Sequence, residues 1–129
     1  IESLKKYFEF SKNNELHFYC SDFRYFLKLQ KFKENDFIYL DPPYLISNSE
    51  YNKLWTEQDE KDLLKILDDL NTKGVRFAIS NLVMSKGKKN DIFIEWSKKY
   101  KVYDVNSNYI NYHDNTNKNA KEVLVTNYD

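Results

Sequence analysis

Glycine is nearly missing from this sequence: Gly74 and Gly87 are the only two in 129 residues. No Gly-x-Gly pairing can be written anywhere along it, which excludes a self-contained glycine-rich nucleotide loop. The single cysteine, Cys20, cannot close an internal disulfide, so a reducing, cytoplasmic compartment is the expectation. His17 and His113 are too few and too far apart to suggest a metal centre, and Cys20 adds nothing to them. No apolar run approaches the length of a membrane span, and no signal-peptide pattern opens the chain. An excess of one charge is also lacking, with 20 basic residues against 20 acidic ones. Any nucleic-acid surface must then come from local clustering. Only Arg24 and Arg76 are arginines, which counts against a surface built on arginine forks. Methionine does not stand first; the chain begins at Ile1 and is expected to be a piece of a longer protein.

What is present points to one folded domain spanning residues 1–129. The sequence is 41% apolar and 17% aromatic, enough for a single core rather than a disordered segment. Apolar spacing predicts a helix from Ile1 to Phe10, a short strand from Leu16 to Cys20 and a short helix from Phe23 to Leu29. A strand follows at Phe37 to Leu40. Thr56, with Asp59 three residues on, has the form of a capping box, and Leu63, Ile66, Leu67 and Leu70 continue at helical spacing to a glycine cap at Gly74. Val75 to Ile79 reads as a strand with Ser80-Asn81 at its carboxyl end, and Ser85 to Asn90 as a lysine-rich loop. Asp91 to Tyr100 reads as a second amphipathic helix. Val102 to Val105 and Glu122 to Thr126 read as strands separated by a long polar loop. Alternation of this kind implies an α/β fold with a mostly parallel sheet. The final strand, reached without a crossover helix, is expected to run antiparallel.

The chemistry centres on Asp41-Pro42-Pro43-Tyr44, at the carboxyl end of the Phe37–Leu40 strand. Proline holds its own backbone angle and keeps the preceding residue extended, so Asp41 and Pro42 are both biased that way. The prolines end the strand ladder and leave the Pro42 carbonyl without an obligatory partner. Asp41 adds a carboxylate acceptor, and Tyr44 a ring face on which a planar base can stack. In open α/β sheets the site lies beyond the carboxyl ends of the strands. Ser21-Asp22, Asp41 to Tyr44 and Ser80-Asn81 all fall there.

The tetrapeptide resembles the signature of amino-group DNA methyltransferases, and the whole chain resembles the C-terminal part of a Dam-like DNA adenine-N6 methyltransferase. Cys20-Ser21-Asp22-Phe23 resembles the family segment that contacts the cofactor's adenine. Phe77-Ala78-Ile79-Ser80-Asn81 resembles the next strand and its polar tip, and Lys121 through Tyr128 the closing strand. The resemblance implies the C-terminal part of a Rossmann-like fold that uses S-adenosylmethionine. It implies catalytic Asp41, Pro42, Pro43 and Tyr44, cofactor contacts from Asp22, Phe23 and Asp41, and double-stranded DNA as partner. The family's glycine-rich cofactor loop and target-recognition region lie upstream of the catalytic motif and have no counterpart here. The isolated chain is therefore expected to bind cofactor poorly, to methylate nothing measurable, and to pair through an exposed strand edge.

Lys86, Lys88, Lys89 and Lys118 are candidate phosphate contacts, although lysine-rich loops are commonly just solvated. Trp55 and Trp96 read as core. Two other readings stay open: an RNA base-amine methyltransferase, and a non-catalytic nucleic-acid- or partner-binding remnant.

Overall fold

The computed structural model describes residues 2–47, 54–105 and 120–129. The polar stretch after Tyr44, the long loop after Val105 and Lys118 lie wholly or almost wholly outside those residues. The first helix, α1 (Glu2–Asn13), runs three residues past the expected end. Its apolar residues Leu4, Tyr7, Phe8 and Phe10 are exposed. Leu16 to Cys20 is not a strand. A strand needs a neighbour for its backbone N–H and C=O groups. None of the described strands takes this segment as a partner, and Phe18 and Tyr19 stand 80% and 68% exposed.

Asp22 then caps α2 (Phe23–Leu29), its Oδ1 accepting from the Arg24 backbone N at 2.8 Å. Strand β1 (Phe37–Leu40) carries the motif at its end. Helix α3 (Glu57–Thr72) opens with the expected capping box: the Thr56 hydroxyl accepts from the Asp59 N–H, and the Asp59 carboxylate accepts from the Thr56 N–H. It closes at Gly74, whose φ of 81° is the left-handed conformation that glycine adopts without steric cost.

Strand β2 (Arg76–Ser85) is twice the expected length. It continues past Asn81 because the last strand and a hairpin supply partners along it, with an irregularity in register between Leu82 and Met84. The expected lysine-rich loop is that hairpin. Lys86 and Gly87, at φ of 51° and 81°, make the tight turn that fits strand twist, and β3 (Lys88–Lys89) returns along Ser85 and Met84. Helix α4 (Asp91–Ser97) is capped by Asn90 and stops three residues short of Tyr100. Strands β4 (Lys101–Asp104) and β5 (Lys121–Thr126) complete the sheet.

The strand order is β1-β2-β5-β4, with β3 on the side of β2. β1 and β2 pair in parallel, and β5 lies antiparallel between β2 and β4. Strands β1, β2 and β4 thus share a direction and the final strand opposes them, as its lack of a crossover helix implied. By pairing, however, among the described residues only the β1–β2 contact is parallel, because β5 enters between β2 and β4. The core gathers on the helix-facing side: Leu63, Leu67 and Leu70 of α3 and Phe93 and Trp96 of α4 meet Phe77, Ile79, Val123 and Val125 of the sheet. Asn127 ties the end of β5 to the start of β2, donating to the Val75 carbonyl at 2.8 Å and accepting from the Phe77 N–H at 2.8 Å. That tie and the parallel β1–β2 ladder hold the strand tips in register.

Candidate active site

The β1–β2 ladder ends at the pair Leu40–Ile79, which places Asp41 beside Ser80 one step further on. Ser80 is buried, and its hydroxyl donates to Asp41 Oδ1 at 3.0 Å. A serine hydroxyl has one proton. The contact of 3.2 Å between Tyr39 Oη and Ser80 Oγ is then one in which Tyr39 donates. Tyr39, Ser80 and Asp41 form a directed chain that ends on the carboxylate and fixes which oxygen is occupied. Asp41 itself is exposed, facing out from the sheet tip rather than into the core.

Tyr44, half-buried, donates its hydroxyl to Glu122 Oε1 of β5. Burial, and then the Glu122 carboxylate, push the phenol well above the usual tyrosine range, against a smaller opposing effect from Ser80. Tyr44 stays neutral at any physiological pH and offers an uncharged ring.

Beside this cluster opens a cavity of about 590 Å³, whose lining includes Asp22, Phe23, Asp41, Pro42 and Trp55. Phe23 and Trp55 face each other across 5.4 Å at 48° and give it an aromatic wall. Beneath the wall lies Glu60, fully buried on α3, which accepts from Trp55 Nε1 at 3.4 Å and Asn90 Nδ2 at 2.6 Å, with Asn81 Nδ2 at 3.4 Å. Burial drives its carboxyl above the ordinary glutamate range even though three N–H donors favour the ionised form. At the cavity's side Arg24 spans three carboxylates: Asp59 at 2.7 Å, Asp62 at 2.8 Å and Asp22 at 3.4 Å. Its guanidinium also lies 4.4 Å from the centre of the Phe23 ring. Arg24 holds the Asp59 carboxyl below the usual range; for Asp62 the Gln58 amide and then Arg24 do the same.

The structure thus brings Asp22, Phe23, Asp41, Pro42 and Pro43 around one cavity and sets Tyr44 outside its lining, next to Ser80 and Glu122. Lys86, Lys88 and Lys89 sit on the exposed β2–β3 hairpin and do not line the cavity. Sequence reasoning read Trp55 as core, and it does pack against the core, half-buried, while also lining the cavity. It gave no role to Arg24, Glu60 or Glu122. For Glu60 a signal existed, since it precedes Leu63, Leu64 and Leu67 by three, four and seven positions and so shares their buried stripe.

Comparison with known proteins gives a consistent picture. Residues 1–111 match the model of the D12 class N6 adenine-specific DNA methyltransferase family. The chain is 40% identical over 134 aligned positions to the type II methyltransferase M.FokI of Planomicrobium okeanokoites, covering 98% of this chain and 21% of that protein. It is 43% identical to the modification methylase StsI of Streptococcus sanguinis, over 74% of this chain and 16% of the relative. It is 31% identical to the modification methylase LlaI of Lactococcus lactis subsp. lactis, over 80% and 17% respectively. The chain therefore spans about a fifth of the length of these curated relatives.

Proposed function

Because this chain belongs to the D12 class N6 adenine-specific DNA methyltransferase family, we propose that it carries the amine-binding end of an enzyme that methylates adenine N6 in DNA. The observation that carries the reading is the position of Asp41. One side chain borders the cavity and also ends the Tyr39–Ser80 chain next to Tyr44. A methyl donor and a base amine must meet at such a shared boundary. The relatives are named as a type II methyltransferase and modification methylases, which favours a modification role for the parent protein.

The cavity fits S-adenosylmethionine in chemistry: an aromatic wall of Phe23 and Trp55 for a flat ring, and the Asp22 carboxylate for the polar remainder. When bound, that cofactor supplies an electrophilic methyl on a positively charged sulfur. The chain's own residues do the rest. An adenine inside a duplex is out of reach and must be flipped, at a cost of a few kcal/mol. Stacking on the Tyr44 ring offsets roughly 1–3 kcal/mol of that. Asp41 and the Pro42 carbonyl accept the two amine hydrogens, which draws the nitrogen toward tetrahedral geometry and localises its lone pair. Ser80 occupies Oδ1 of Asp41, so the other oxygen is the one presented to substrate. Positive charge would develop on the amine as its bond to the methyl carbon forms and the methyl–sulfur bond breaks; the carboxylate stabilises that charge in place, and one amine proton then leaves to solvent to give neutral N6-methyladenine. Positioning supplies the remainder of the rate.

The test is product identity. The full-length protein is incubated with labelled S-adenosylmethionine and either DNA or RNA, and the nucleosides are separated. N6-methyladenine in DNA is expected. Label in RNA alone, or no transfer by the intact protein, contradicts the proposal.

A further inference from the structure

Tyr44 follows a strand end and two prolines, so nothing in its own segment fixes the plane of its ring beyond a turn in which the Ser47 N–H donates to the Tyr44 carbonyl at 3.0 Å. The fixed point comes from 78 residues away. Glu122 stands on β5 opposite Leu82 of β2, and on its other flank its carbonyl accepts from the Val105 N–H at 3.0 Å. Its backbone is held from both sides, while its half-buried carboxylate receives the Tyr44 hydroxyl.

We infer that Glu122 is a positioning residue for methyl transfer, a tether that sets the Tyr44 ring before the base arrives. The inference rests on the reading of Tyr44 as the surface on which the flipped adenine stacks. A ring on a mobile arm would have to be ordered at each binding event, whereas one held by a strand is ordered already. The hydroxyl is then not a spectator. A phenylalanine at position 44 keeps the stacking face and loses the tether, and it also leaves a partly buried carboxylate without its donor.

The experiment uses the full-length protein on DNA that the wild type methylates, with single-turnover rates at saturating cofactor. Glu122→Leu removes the acceptor and Tyr44→Phe the donor. Each is expected to slow methyl transfer about tenfold, the size of one lost hydrogen bond. Glu122→Gln keeps an acceptor oxygen in place and is expected to stay within about twofold of wild type. The double variant Glu122→Leu/Tyr44→Phe is expected to be no slower than either single one, since both delete the same bond. Additive losses overturn the tether, as does Tyr44→Phe at the wild-type rate, or Glu122→Gln as slow as Glu122→Leu. If Glu122→Leu does not fold, the Tyr44→Phe and Glu122→Gln arms decide alone. A wild-type protein that leaves DNA unmethylated takes down the parent reading and the tether together; failure among the variants alone takes down only the tether.

Discussion

Glu60 is an acid where α3 turns its apolar stripe inward, and its neighbours explain why it is tolerated. Trp55, Asn90 and Asn81 all present N–H groups to it. One carboxylate thereby joins the cavity wall, the cap of α4 and the middle of β2. Glu60→Leu leaves those donors buried without an acceptor and is expected to lower unfolding free energy by about 1–3 kcal/mol in urea titrations. The pH dependence has a definite sign. Burial raises the folded pKa above the ordinary 4.5, so the folded state holds the proton more tightly than the unfolded state. Glu60's contribution is complete below that unfolded value and is lost as pH rises through the folded one. Glu60→Gln should therefore flatten the stability profile between acid and neutral pH; an unchanged profile contradicts this account of the site. Asp68 is the opposite case. Burial opposes its charge, yet Lys99, Tyr100 and Trp96 together outweigh burial and hold its carboxyl below the usual range.

Among the elements, α3 is governed by its ends as much as by its leucines. Gly74 has nothing within 4 Å of where a Cβ would stand, so Gly74→Ala meets no clash. Its cost is the left-handed backbone alone, about 1–2 kcal/mol, and thermal unfolding should show that loss. A melting temperature equal to wild type would mean that the turn had rearranged. Local chemistry of this kind was legible in the sequence: the Thr56–Asp59 box, the Phe23–Leu29 helix and β1 all lie where spacing put them. Elements that depend on distant partners were not. Leu16 to Cys20 alternates like a strand but finds no ladder, and β2 outruns its apolar core because β3 and β5 extend it. The site divides the same way. Asp41 to Tyr44 and Asp22-Phe23 were visible as motifs, while the Ser80–Asp41 and Tyr44–Glu122 bonds join residues 39 and 78 positions apart. No local pattern encodes such pairings.

For the molecule as a whole, most of the exposed large apolar side chains among the described residues lie early in the chain. The exposed residues of α1, then Phe18, Tyr19, Phe37 and Tyr39, precede Asp41, while Leu54, Val102, Tyr103 and Val105 follow it. β1 pairs with β2 and with no other described strand. The 129-residue chain alone is expected to sediment as dimers or larger species, and Phe37→Lys on β1 should shift it toward monomer. A monomer at all concentrations contradicts the expectation. No helix among the described residues is long and apolar enough to cross a membrane. The central claim is that Asp41 holds a base amine for methylation, and its most direct measurement is single-turnover methyl transfer by full-length wild type and Asp41→Ala at saturating cofactor and DNA. The account predicts N6-methyladenine from the wild type and none above background from Asp41→Ala. A variant rate within about tenfold of wild type, barely 1.4 kcal/mol of barrier, would contradict it.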